Sequence, residues 1–232
     1  MDYIVILLAT LLIVIISYML SVSYFSTTTQ LTGEIDMKDK TADILVDKLT
    51  RPDATVYSYN IWLYIDKPIS GERKIFDRAK DMGLVLKGNT SEMLLRLYRR
   101  GNSGPTESKD IQISNNFPLQ KWVFVTVSVD NSTIDIYLDG KLVKSVVDSK
   151  DKDAPYKEHM ADATSPVKFG VIPGAYMTKF SRKLSSTDPQ SAWDQYMEGS
   201  GSKKGLSNLV NRYNVNLSIL KDSNPLNVIN LW

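Results

Sequence analysis

The chain has 232 residues, with 28 lysines and arginines against 26 aspartates and glutamates, a formal net charge of +2, no cysteine and one histidine. That length holds one good-sized domain plus an appendage, and the mixed charge lacks the basic, aromatic-interleaved stripe of a nucleic-acid binder. The missing cysteines exclude a disulfide framework and thiolate chemistry, and a lone His159, set in a charged run, argues against a histidine-based triad or a multi-histidine metal site.

Tyr3 to Leu20 reads YIVILLATLLIVIISYML, without a charge. Extended through Phe25, it is long enough for a helix to cross a hydrocarbon core of about 30 Å. Tyr3, Tyr18 and Tyr24 stand near its ends, where a membrane interface favours aromatic rings. The n-region Met1-Asp2 has no basic residue, the apolar run exceeds a signal-peptide core, and Ser21-Val22-Ser23 is a poor cleavage site. Residues 1–25 are therefore expected to be a retained single transmembrane helix. The flanking charges leave its orientation undecided.

Residues 26–42 are polar and read as a juxtamembrane tether. Within them Glu34, Asp36 and Asp39 invite comparison with retaining glucanases, whose Glu-x-Asp-x-x-Glu strand sets two carboxyls about 5–5.5 Å apart. Here the third carboxylate is Asp39 rather than glutamate, and no catalytic role is assigned. Residues 43–232 are expected to form the folded body, beginning with a strand from Asp43 to Leu49. Tyr57 to Ile65 alternates Tyr59, Ile61, Leu63 and Ile65 with Ser58, Asn60, Trp62 and Tyr64, a half-buried strand. Shorter strands are predicted over Lys74–Asp77, Gly83–Lys87, Met93–Tyr98 and Ile111–Ile113, with a turn at Asn89-Thr90-Ser91.

The strongest signal is Trp122 to Val147. Val123, Val125, Val127 and Val129 alternate with Trp122, Phe124, Thr126 and Ser128, the period of a strand. Asn131 lies in a turn, and Ile134, Ile136 and Leu138 form a second strand. Asp139-Gly140 is a two-residue hairpin turn, because both residues tolerate positive φ. Lys141 to Val147 returns. Such a meander needs a second sheet over its apolar face.

The stretch from Asp148 to Pro166 is charged and contains His159. The spacing of Asp148, Asp151 and Asp153 fits no EF-hand, so it reads as a loop and no metal site is assigned. Strands follow over Val167–Ile172 and Gly174–Phe180. Asp188-Pro189 starts a helix, with Asp188 as N-cap and Pro189 in the first turn, ending at Gly199. Tyr213–Leu220 and Asn227–Trp232 are final strands. Trp62, Trp122 and Trp193 are expected in the core.

The meander, with Trp122, Tyr137, Asp139, Gly140, Lys141 and Leu142, resembles concanavalin A-like domains of the laminin-G/pentraxin type. Tyr57–Ile65, the Pro118-Leu119…Trp122 lead-in, and the closing run from Gly174 through Leu184-Ser185 to Gly199 resemble further parts of that family. The resemblance implies an all-β, two-sheet antiparallel jelly roll with one short helix. It carries over no calcium or sugar ligands, and no catalytic, cofactor-binding or metal residue is assigned.

The anchor, lead-in and closing helix together resemble membrane-associated minor capsid proteins of large DNA viruses, which assemble in the reducing cytoplasm, in keeping with zero cysteine. The expected function is that of a non-enzymatic, single-pass structural protein linking an internal virion membrane to the capsid shell, with lipid and capsid proteins as partners. The alternative is a membrane-anchored, lectin-like glycan-binding module. Three glycosylation sequons, at Asn89, Asn131 and Asn216, bear on which side of the membrane the body faces.

Overall fold

A computed structural model describes residues 10–17, 28–79, 81–88, 91–99, 107–147, 163–201, 216–221 and 224–230. The elements are β1 (Thr28–Gln30), β2 (Ile35–Asp36), β3 (Val56–Ile65), β4 (Arg73–Arg78), β5 (Met82–Leu86), β6 (Met93–Arg99) and β7 (Glu107–Ser114). Next come β8 (Trp122–Asp130), β9 (Thr133–Leu138), β10 (Lys141–Val147), β11 (Val167–Phe169) and β12 (Ala175–Lys183). A helix, α1 (Pro189–Met197), precedes β13 (Asn216–Lys221) and β14 (Asn224–Asn230).

Two antiparallel sheets carry the fold. The first is seven-stranded, in the order β1-β12-β3-β8-β9-β10, with β2 also on β12; the second is five-stranded, in the order β11-β4-β5-β6-β7. The alternation in the sequence dictates which faces meet. Tyr57, Tyr59, Ile61, Leu63 and Ile65 of β3 and the four valines of β8 are at most 2% exposed, and they pack in one core with Phe76, Leu84, Leu86, Leu95 and Leu97 of the second sheet. The Asp139-Gly140 turn has φ of 48° and 74°. The Asp139 carboxylate also accepts the Phe124 N–H at 2.9 Å, which ties the turn back to β8.

Inside the core sits a charged cluster. Arg78 and Asp81 are fully buried and paired at 3.0 Å. The Tyr57 hydroxyl donates to Asp81, and Arg78 donates to the carbonyls of Ser165 (3.1 Å) and Pro52 (2.9 Å). Arg182 donates to the Thr50 and Arg51 carbonyls and lies over the Tyr57 ring, 4.8 Å from its centroid. Among the described residues the three buried charges, Arg78, Asp81 and Arg182, thus each meet an opposite charge, a carbonyl or a ring face, the condition under which burial is tolerated.

Several expectations change. Asp43–Leu49 is no strand: Ile44 makes an isolated bridge to Val167, and Val46–Lys48 is a 3-10 turn. Ile44 and Leu49 are both buried while Leu45 is 59% exposed. Residues five apart point to opposite faces of a strand, so a strand could not bury both. The segment read as a tether instead joins the sheet: β1 pairs with Lys183–Ser181 and β2 with Tyr176–Met177, both on β12, and Met37 is fully buried. Trp193 is 40% exposed rather than core. The last two strands pair with each other in a two-stranded sheet of their own.

Residues 10–17 are helical, and Leu11, Leu12, Ile13 and Val14 are 53–64% exposed. Among the described residues no helix is long and apolar enough to cross a membrane; the rest of the expected span, residues 1–9 and 18–25, lies outside them. So do Asp148, Asp151, Asp153, His159 and Asn89.

Candidate functional site

The outer face of the seven-stranded sheet presents the residues that alternate with the core. At one end this face is polar and covered. The Thr187 hydroxyl bonds the Ser58 hydroxyl (2.9 Å), its N–H donates to the Ser128 hydroxyl (2.7 Å), and the Tyr137 hydroxyl donates to its carbonyl (3.1 Å). Thr126 donates to the Asn60 amide oxygen at 2.9 Å.

The middle of the face lies under α1. Asp188 caps the helix by accepting from the Ser191 N–H at 3.0 Å, and Pro189 stands in the first turn. Tyr196 stacks on Trp62 (centroids 5.6 Å apart, planes 22° apart), and Trp62 packs on Phe124. A cavity of about 300 Å³ remains beneath the helix, lined by Asn60, Trp62, Phe124, Lys179, Ser181, Gln195 and Glu198. Lys179 sits at a bulge of β12 with φ 50° and donates to the Gly199 carbonyl at 2.7 Å.

Among the described residues no helix lies over the far end. Strand register sets Trp122 (β8) opposite Tyr64 (β3), Tyr64 opposite Tyr176 (β12), and Tyr176 opposite Asp36 (β2). All three aromatics are half-buried. Tyr64 lies 5.7 Å from Trp122 and 6.1 Å from Tyr176, centroid to centroid, with rings tilted by 53° and 61°. Two turns bring these strands into line. Gln120, at φ 58°, donates its N–H to the Ile65 carbonyl at 2.7 Å and delivers Trp122 beside β3. Gly174, at φ 85°, accepts from the Asp66 N–H at 2.8 Å and starts β12 level with Tyr64. Glycine suits that left-handed position because it has no Cβ.

The resulting cavity of about 420 Å³ is lined by Glu34, Tyr64, Asp66, Trp122, Gly174 and Tyr176. Its Glu34 belongs to the acidic run compared with glucanases. The other members of that run are elsewhere engaged or outside the lining: Asp36 pairs with Lys38 at 3.7 Å and accepts its N–H, and Asp39 is exposed. The sequence reading missed Tyr64, Asp66 and Tyr176. The available signal was that Tyr64 and Trp122 break the polar side of two strands with aromatic rings.

Chemically, three tilted rings offer apolar faces, and two carboxylates offer hydrogen-bond acceptors beside them. Such a mixture fits a ligand with one apolar and one polar surface. Among the described residues no group of three or more His, Cys, Asp or Glu is placed to hold a metal ion. The Asn131 sequon lies in the β8–β9 turn, where the Asn131 side chain accepts from Thr55 and donates to Asp130.

A family model described as the concanavalin A-like lectin/glucanases superfamily, of laminin G type, matches residues 38–166. No curated protein matches the chain. Among solved structures it is similar to the ligand binding domain of botulinum neurotoxin serotype D in complex with N-acetylneuraminic acid. That match has 15% identity and a TM-score of 0.51, over 72% of this chain and 42% of that one. It is also similar to the receptor binding domain of botulinum neurotoxin D, at 16% identity and a TM-score of 0.50, over 72% of this chain and 44% of that one. The chain thus spans less than half the length of these structures, and the likeness is one of fold.

Proposed function

We propose that this chain, which belongs to the concanavalin A-like lectin/glucanase superfamily by its match over residues 38–166, is a glycan-binding module displayed from a membrane by its N-terminal apolar stretch. The observation that carries the reading is the aromatic row Trp122–Tyr64–Tyr176, which lines a cavity with Glu34 and Asp66 at its rim. A sugar ring has an apolar face of C–H groups and a rim of hydroxyls. The first suits aromatic rings, and the second suits carboxylate acceptors.

The second cavity, at Asn60 and Trp62, follows the first along β3 on the same face. That succession suits an oligosaccharide better than a single residue. The reading is of binding rather than catalysis, because Asp36, the partner that Glu34 would need, is held by Lys38. The anchor is supported by residues 11–16 of the N-terminal helical stretch, apolar on all sides and exposed, which the sandwich does not sheath.

The test is a glycan array probed with the full chain in nanodiscs, followed by titration of the best ligand. Trp122→Ala is expected to weaken binding on the order of ten- to a hundredfold, as loss of a central aromatic anchor does, with the β-sheet circular dichroism retained. An array without a hit, or a hit indifferent to Trp122 and Tyr176, refutes the reading.

A second reading, a structural protein tying a membrane to a shell of other proteins such as a viral capsid, is favoured by one feature. The edge strand β10 leaves Leu142, Val143 and Val147 43–58% exposed, and an open apolar edge is where another chain can add a strand. Cross-linking from β10 in the native membrane or particle tests it; contacts to lipid alone would count against it.

A further inference from the structure

The charge of the open cavity goes further than the glycan reading on which this inference rests. Among the described residues that line it, the charged groups are Glu34 and Asp66, both acids. Both are exposed, and among the described residues neither side chain has an ion-pair or hydrogen-bond partner. Neighbouring acids are treated differently: Asp36 is matched by Lys38 at 3.7 Å and Asp139 by Lys121 at 3.2 Å. The two open carboxylates stand beside three aromatic faces, and such faces attract cations within about 6 Å of the ring centroid.

We infer that the site selects a glycan carrying a positive charge, a sugar with a free amino group, and rejects acidic sugars. An ammonium substituent placed at the row gains attraction from both carboxylates and from the negative faces of Trp122, Tyr64 or Tyr176. A sialic or uronic acid would bring its own carboxylate against two unmatched ones. N-Acetylneuraminic acid, the sugar named for the serotype D neurotoxin domain, is therefore the wrong charge for this cavity. N-acetylation of an amino sugar keeps the ring and removes the charge, so it isolates the electrostatic part of the preference.

The experiment titrates the full chain in neutral-lipid nanodiscs with three ligands: short oligomers of β-linked glucosamine, the same oligomers N-acetylated, and a sialylated oligosaccharide. Tryptophan fluorescence and calorimetry report binding in low salt at about pH 6, where carboxylates are ionised and amines protonated. The free-amine oligomer is expected to bind roughly two- to twentyfold tighter than its acetylated partner, the range two exposed ion pairs supply. The sialylated ligand should not bind. The ratio should shrink with added salt and drop in E34Q/D66N to the smaller preference that the aromatic faces alone supply; these substitutions lie on exposed side chains and leave the core untouched. Equal or tighter binding of the acetylated oligomer, or a preference left undiminished in E34Q/D66N, overturns the inference while leaving a glycan site standing. Failure of all three ligands to bind a chain of unchanged circular dichroism overturns the inference, and the glycan array then decides the glycan reading separately.

Discussion

Removing the carboxylate of Asp81 is expected to be among the most damaging single changes to the body. Asp81 and Arg78 both have fully buried side chains, paired at 3.0 Å. In Asp81→Ala the guanidinium keeps its hydrogen bonds to the Ser165 and Pro52 carbonyls but loses its counter-charge, and stranding a buried charge costs about 3–5 kcal/mol. The Tyr57 hydroxyl also loses its acceptor, a further penalty of about 1–3 kcal/mol for a buried donor left unmade. The two overlap, so about 4–6 kcal/mol is expected, against a total stability of about 5–15 kcal/mol for a domain of this kind. Urea unfolding followed by tryptophan fluorescence gives the value. Arg78→Met and the double variant Arg78→Met/Asp81→Ala complete a cycle, in which the double should be less destabilised than the sum of the singles by about 2 kcal/mol or more. A cost below about 1 kcal/mol for Asp81→Ala, or strict additivity in the cycle, would refute this account of the core.

The same cluster predicts alkaline sensitivity. Burial, and next the charge of Asp81, push Tyr57 well above the usual phenol range, and burial does the same to Tyr59. Folded tyrosines that keep protons the unfolded chain releases contribute stability that is full below about pH 10 and lost as pH rises beyond it; Tyr57→Phe should flatten that decline in a pH series of urea midpoints. On the acid side, hydrogen bonds from Arg96 hold Glu72 and Asp110 below their ordinary values. Their contribution is present above the ordinary carboxylate range and fades as pH falls through it, so Arg96→Met should shallow the acid decline of thermal midpoints. Gly140→Ala places a methyl 3.0 Å from Trp193 Cα at φ 74°; a cost of about 1–3 kcal/mol should lower the thermal midpoint by about 3–10 °C, and an unchanged midpoint would show that the hairpin does not buttress α1.

Much of this architecture was legible because period-two patterns are local. β3, β8 and β9 each carry their alternation within one run, Asp139-Gly140 states its own turn, and Asp188-Pro189 its own helix start. What was illegible is what depends on neighbours far along the chain. Thr28–Gln30 is polar because an edge strand needs only main-chain pairing, and its partner β12 lies some 150 residues on. Ile35 and Met37 alternating with Glu34, Asp36 and Lys38 was a strand signal, overlooked in a segment short and charged enough to pass for a tether. Trp193 belongs to the helix stripe, yet the hairpin it meets at Gly140 covers only part of the ring. The aromatic row is a property of register among β8, β3 and β12, and no single segment contains it.

Strand β1 has a consequence for where this body can work. Ser17 closes the described helical residues and Thr28 opens β1; even fully extended, the intervening chain reaches no more than about 38 Å. With the apolar stretch lodged in a bilayer, as proposed, the strand bearing Tyr176 is moored close to the lipid through its neighbour β1. A receptor so moored samples a thin shell above its own membrane, where ligand abundance is set by geometry rather than by bulk dilution. Modest affinity at each site then suffices for firm attachment between two surfaces once many copies engage at once.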